Sequence, residues 1–184
     1  MVEIKKQWYE ENPELLEAEI AAMSDFLGDK AEFIILNNGT VCWKIHYCPQ
    51  FLDKSISKGE KCDREYDIAI LYEDNFPDTH REASARIFSS KAFFLRPSID
   101  ELQMIVKERY PYKYWIPHLL RSDMGELYPV LRCSYIEPIY NVNFENASAV
   151  DTAKMTINWI SAFETGIEEP RIWELFTRLG PGII

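Results

Sequence analysis

The chain has 184 residues, of which 47% are apolar and 14% aromatic, enough material for a packed core and too much for general disorder. Thirty acidic residues against 20 basic ones give a net charge of −10. A surface that negative repels phosphate backbones and anionic lipid, so nucleic acid and membrane are not expected as partners, whereas proteins or small molecules are.

The opening stretch MVEIKKQWYEENPELL lacks an uninterrupted apolar core of signal-peptide length, and no later stretch is long and apolar enough to span a bilayer. A cytoplasmic chain forming one domain over residues 1–184 is expected, with its four cysteines as free thiols, because a core of this size needs no covalent staple. ENPELLEAEIAAMSDFLGD predicts an amphipathic helix with Asn12 as cap, Pro13 in the first turn and Gly28 as stop. Leu16, Ile20, Met23 and Leu27 form its apolar stripe. AEFIIL and VCWKIHYCPQF flank Asn37-Asn38-Gly39-Thr40, where Asn-Gly suits the positive φ of a tight hairpin turn.

The polar, aperiodic stretch DKSISKGEKCDRE reads as an exposed loop with Cys62 near solvent. YDIAILYE alternates as a third strand, and DNFPDTH turns into EASARIFSS as a fourth. Parity then places Val41, Trp43, Ile45, Ile68 and Ile70 inside. Ser98 with Glu101 makes a capping box ahead of Leu102, Ile105 and Val106, which predicts a short helix. From Arg109 to Pro138, prolines at 111, 117, 129 and 138 predict a long irregular path across the surface. NASAVDTAKMTINWISAFETG predicts a helix capped by Ser148 with Asp151 and running until Gly166, after which EEPRIWELF adds a turn or two. The expected class is α+β: an N-terminal helix, a four-stranded antiparallel meander, a long irregular segment and C-terminal helices, because no long crossover helices separate the strands.

The commonest catalytic signatures, a Gly-rich phosphate loop, G-x-S-x-G and H-E-x-x-H, do not occur. Cys42, His46 and Cys48 share parity on one strand, but at a rise of about 3.3 Å per residue Cys42 and His46 lie about 13 Å apart, so no metal and no cofactor are expected. His118, after Pro117, could move a proton or hydrogen-bond a carbonyl oxygen. A thiol hydrolase would need an orienting Asp or Asn beside it, and none is evident.

Three stretches carry a resemblance. YDIAILYEDNFPDTHREASARIF is similar to the third strand, Phe/Tyr-Pro turn and fourth strand of the ubiquitin-conjugating enzymes (the UBC fold), with Phe76-Pro77 as the turn. PHLLRSDMGEL resembles the family's His-Pro-Asn segment leading through a glycine to the active-site cysteine, with Pro117-His118 and Gly125 as the matching residues. TAKMTINWISAFETG looks like the helix of the divergent bacterial branch, including Trp159 and the Phe163-Glu164 pair.

The resemblance spans nearly the whole chain and implies a cysteine thioester enzyme with Cys133 as acyl carrier and His118 beside it, and with Tyr128, Arg132 and Tyr135 about the substrate. It also implies that Glu14 and Glu17 on the first helix, with Phe76 and Pro77, face an activating or scaffold protein. The implied partners are a ubiquitin-activating-like enzyme and a ubiquitin-like protein or cGAS-like nucleotidyltransferase, in antiphage operons of the CBASS type. Leu119 stands where the family has asparagine, and direct alignment puts Tyr128 at the cysteine position, five residues before Cys133. Two readings follow: an insertion that lets Cys133 fill the site, or a non-catalytic UBC-like module that binds a partner protein.

Overall fold

The computed structural model describes residues 6–49, 62–72, 76, 80–82, 85–87, 90–113, 116–117, 119–121, 129–131 and 148–179. A short helix α1 (Trp8–Glu11) leads into α2 (Pro13–Leu27). Asn12 caps α2 by accepting from the Leu15 amide at 3.1 Å, Pro13 fills the first position, where no amide donor is needed, and Gly28 ends the helix at a φ of 59°. The buried stripe of α2 includes Met23 and Leu27, as expected, but not Ile20. Ile20 is 36% exposed, while Leu15, Glu19, Ala22 and Met23 face inward. The exchange is possible because Glu19, only 5% exposed, finds hydrogen-bond donors inside.

Strands β1 (Ala31–Ile35) and β2 (Val41–Tyr47) form the expected hairpin, with Phe33 opposite Trp43. Leu36 and Thr40 close its loop, and the positive φ falls at Gly39, 83°. β3 (Tyr66–Tyr72) pairs antiparallel with β2, and Val41, Trp43, Ile45, Ile68 and Ile70 are all at most 2% exposed, as parity requires.

The fourth strand of this sheet lies further along the chain than expected. Ala85–Ile87 (β5) pairs with His80–Glu82 (β4) in a separate two-stranded ribbon, and β6 (Ser90–Arg96) takes the place beside β3. β6 brings Ser90, Ala92 and Phe94 to the core with a period of two. Ser98 and Glu101 exchange the two hydrogen bonds of a capping box and start α3 (Ile99–Arg109).

The stretch expected to be irregular contains β7 (Leu119–Arg121) and β8 (Pro129–Leu131), which extend the sheet to the order β1-β2-β3-β6-β8-β7. Pro129 is tolerated as the first residue of a three-residue strand, where few ladder donors are required. The four long strands therefore form an antiparallel meander, helices flank it in sequence, and the class is α+β.

α4 (Ala149–Glu168) is capped by Ser148 and Asp151 and packs on β3 and β6, with α2, α3 and α5 (Pro170–Leu179) against it. It is closed in on all sides from Ser161 to Ile167. Trp159 stacks on Phe163 at 5.1 Å and touches Phe94 at 5.3 Å, and Trp173 of α5 reaches Phe163 at 6.0 Å. Gly166 does not stop the helix. A Cβ there would lie 3.2 Å from the Trp173 Cα, so glycine serves close α4–α5 packing. Among the described residues, no helix is long and apolar enough to cross a membrane.

Candidate functional site

Of the residues singled out in sequence, Pro77, His118, Tyr128, Arg132, Cys133 and Tyr135 lie outside the described residues. Glu14 and Glu17 are exposed on α2. Phe76 is 5% exposed, its ring 4.5 Å from both Trp8 and Tyr72, so it supports the surface from beneath instead of presenting it. The chain leading to His118 is held in place: Trp159 Nε1 donates to the Pro117 carbonyl at 2.9 Å, and Ile116 is buried. Leu119 of β7 pairs with Leu131 of β8. The described residues next to His118 and to Arg132 are thus partners at one end of the hairpin.

The densest polar chemistry gathers elsewhere, where the chain enters β3. Cys62, Arg64 and Tyr66 alternate toward α4 and meet Glu164, which is 2% exposed. Arg64 Nη1 donates to both Glu164 oxygens at 2.7 and 2.6 Å, the Tyr66 hydroxyl donates to Oε1, and the Cys62 thiol donates to Oε2 at 3.2 Å. A buried carboxylate is tolerable only with such partners. Burial, then the Glu164 charge, pushes the Cys62 thiol up to about 12, and the same two causes hold the Tyr66 phenol well above its usual range. Cys62 is therefore a half-buried, protonated hydrogen-bond donor, not the loop thiol near solvent that its polar surroundings in sequence suggest.

A second buried carboxylate, Glu19, sits at the N-terminus of α4. It accepts from the Ala149 amide at 2.9 Å and from the Tyr72 hydroxyl at 2.8 Å, and Tyr72 in turn accepts from Trp43 Nε1 at 2.8 Å. The negative charge meets the positive end of the helix, which helps offset its burial.

On the opposite, outer face of the same strand pair, His46 stands directly across from Asp67. The next pair, Tyr47 with Tyr66, is the last of the ladder, and Cys48 and Glu65 lie one residue beyond it. Parity brings His46, Cys48, Glu65 and Asp67 onto one face. His46 Nδ1 lies 2.8 Å from Asp67 Oδ1 and, since a carboxylate only accepts, donates to it. In the neutral ring Nε2 then keeps its lone pair, 3.9 Å from Cys48 Sγ. The nearest ligand atoms of His46, Cys48 and Glu65 all lie within 4.8 Å of one another.

Beside this array a cleft of about 410 Å³ opens between the start of β3, the end of β6 and α3, bordered by Arg64, Glu65, Arg96, Glu101 and Glu108. Among the described cysteines, burial raises Cys42 and holds Cys62 protonated, whereas Cys48 is exposed beside an imidazole.

The spacing His46-x-Cys48 and Glu65-x-Asp67 was visible in sequence, but the register that joins the two pairs was not, because register is set by pairing between strands and not by either stretch alone. Glu164 stood in the sequence only as part of the Phe163-Glu164 pair, with no partner suggested. Comparison with known proteins found no matching family, no matching curated protein and no matching solved structure.

Proposed function

We propose that the chain is a bacterial ubiquitin-conjugating-like enzyme. In this reading the Cys133 thiolate attacks the thioester that an activating enzyme holds on the C-terminal carboxyl of a ubiquitin-like protein or of a cGAS-like nucleotidyltransferase. The new C–S bond forms as the activating enzyme's thiol leaves. An acceptor amine then attacks the carbonyl, the C–N bond of an amide forms, and Cys133 departs as thiolate after the amine proton passes to a base. His118 is the group assigned to hold the carbonyl oxygen or take that proton.

The observation that carries the proposal is the pairing of Leu119 with Leu131: the residues adjoining His118 and, one position removed, Cys133 are partners within an antiparallel sheet flanked by helices. Exposed Glu14 and Glu17 on α2 remain available for docking the activating or scaffold protein. Antiphage defence of the CBASS type is the setting that the resemblance implies.

The test supplies an activating enzyme, ATP and the ubiquitin-like protein or nucleotidyltransferase encoded beside this chain. A reductant-sensitive adduct is expected, lost in Cys133→Ala and converted to a reductant-resistant ester in Cys133→Ser. An adduct that survives Cys133→Ala and disappears in Cys48→Ser would move the carrier to Cys48. If the wild type binds these partners and never forms an adduct, the chain is a non-catalytic binding module.

A further inference from the structure

We propose that His46 Nε2, Cys48 Sγ and a Glu65 carboxylate oxygen bind one Zn2+ ion, with Asp67 as the residue that positions the His46 ring. Two observations converge on it. First, the antiparallel register that sets His46 across from Asp67 brings His46 of β2 together with Cys48 and Glu65, each one residue beyond its strand, so a single ion would bridge the two chain segments. Ligand atoms about 2.0–2.3 Å from a tetrahedral zinc stand about 3.3–3.8 Å from one another. The 3.9 Å between His46 Nε2 and Cys48 Sγ is already close to this, and the 4.8 Å limit on the whole set leaves only a small rotamer adjustment for exposed side chains.

Second, the His46–Asp67 hydrogen bond fixes the tautomer that metal binding needs. Nδ1 carries the proton and points at the carboxylate, while Nε2 keeps its lone pair toward Cys48 and Glu65. An outer carboxylate on a ligating imidazole is the usual supporting contact of such sites.

With a divalent ion in place, one thiolate and one carboxylate balance its charge, and binding releases the Cys48 thiol proton to solvent.

A sulfur, an imidazole nitrogen and a carboxylate oxygen form a borderline-soft set that favours zinc over magnesium or calcium, which take oxygen ligands. Three protein ligands leave a fourth position for water or an incoming donor. The along-strand distance that separates Cys42 from His46 does not bear on this site, because its third ligand comes from across the sheet.

The full chain, reduced and freed of metal with chelator, is titrated with Co2+ as a spectroscopic substitute and then with Zn2+. One equivalent of Co2+ is expected to produce a thiolate-to-cobalt charge-transfer band that Zn2+ bleaches. The band should vanish in Cys48→Ser and in His46→Ala and persist in Cys62→Ala. Asp67→Ala should keep the band but weaken affinity by about 10–100-fold, the effect of losing a supporting contact. Zn2+ should also raise the thermal midpoint of the wild type and leave that of Cys48→Ser unchanged. His46, Cys48, Glu65 and Asp67 line the surface, so the variants should match the wild-type circular dichroism. A wild type with no thiolate band at equimolar metal, or a band that survives Cys48→Ser, overturns the proposal.

Discussion

Glu164 shows how one buried carboxylate organises its surroundings. Its oxygens collect donors from Arg64, Tyr66 and Cys62, groups that enter from a separate strand about a hundred positions away in sequence. Removing the acceptor leaves a guanidinium and two uncharged donors facing one another. Breaking a buried ion pair costs about 3–5 kcal/mol. The Arg64 side chain is 32% exposed and can recover water, so Glu164→Ala should fall near the lower end, about 3 kcal/mol, in urea denaturation. Glu164→Gln keeps an oxygen acceptor in place and should cost less, about 1–2 kcal/mol. Equal losses for the two variants would show that the charge on Glu164 contributes nothing. None of these partners was legible from Glu164 itself, since its position in a helix says nothing about which strand end will reach it. Glu19 went unremarked in the sequence for a related reason: the spacing through Ile20 marks a plausible stripe, and only the donors at Tyr72 and Ala149 let Glu19, and not Ile20, join Met23 and Leu27 at the core.

At the scale of elements, local signals did well where they were local. Asn12, Ser98 and Ser148 each satisfy a helix N-terminus through side-chain acceptors, as the cap patterns require. Helix ends set by packing were harder to read. Gly166 looks like a stop in sequence, yet α4 continues through it because Trp173 occupies the space a side chain would need. Alanine favours a helix interior over glycine by about 1 kcal/mol. Against that, its Cβ would press on the backbone of α5, which is tied to α4 through a single residue, Glu169, and cannot easily retreat. Overpacking of this kind costs about 1–3 kcal/mol, so Gly166→Ala should be net destabilising by about 1 kcal/mol despite the better propensity. A higher urea midpoint for this variant would show that α5 gives way. The fourth strand was missed by one ribbon, since EASARIFSS and SKAFFLR are both β-prone and only sheet pairing selects the second.

For the whole molecule, the buried acids set the alkaline limit of stability. Cys62 moves from its ordinary 9.0 to about 12, chiefly by burial and then by the Glu164 charge, and burial together with a neighbouring carboxylate raises Tyr66 and Tyr72 above 10.0. Each group keeps its proton in the fold at a pH where the unfolded chain has lost it. The contribution is therefore complete below about pH 9 and is lost progressively as pH climbs through the raised values. The urea midpoint should fall between about pH 9 and about pH 11, and Cys62→Ala should flatten the early part of that fall. A midpoint independent of pH across this range would mean that these groups titrate in the fold as they do in the open chain. By itself, the sequence determined the α+β class, the hairpin turn at Gly39, the helix starts and the inward parity of β2 and β3. Those features depend on caps, turn chemistry and periodicities that neighbouring residues express alone. Only the tertiary structure decided which strand completes the meander, which face of α2 is buried, and that His46 and Cys48 meet Glu65 while Cys62 meets Glu164. Those meetings depend on register between distant segments, and register is an outcome of packing the whole chain at once.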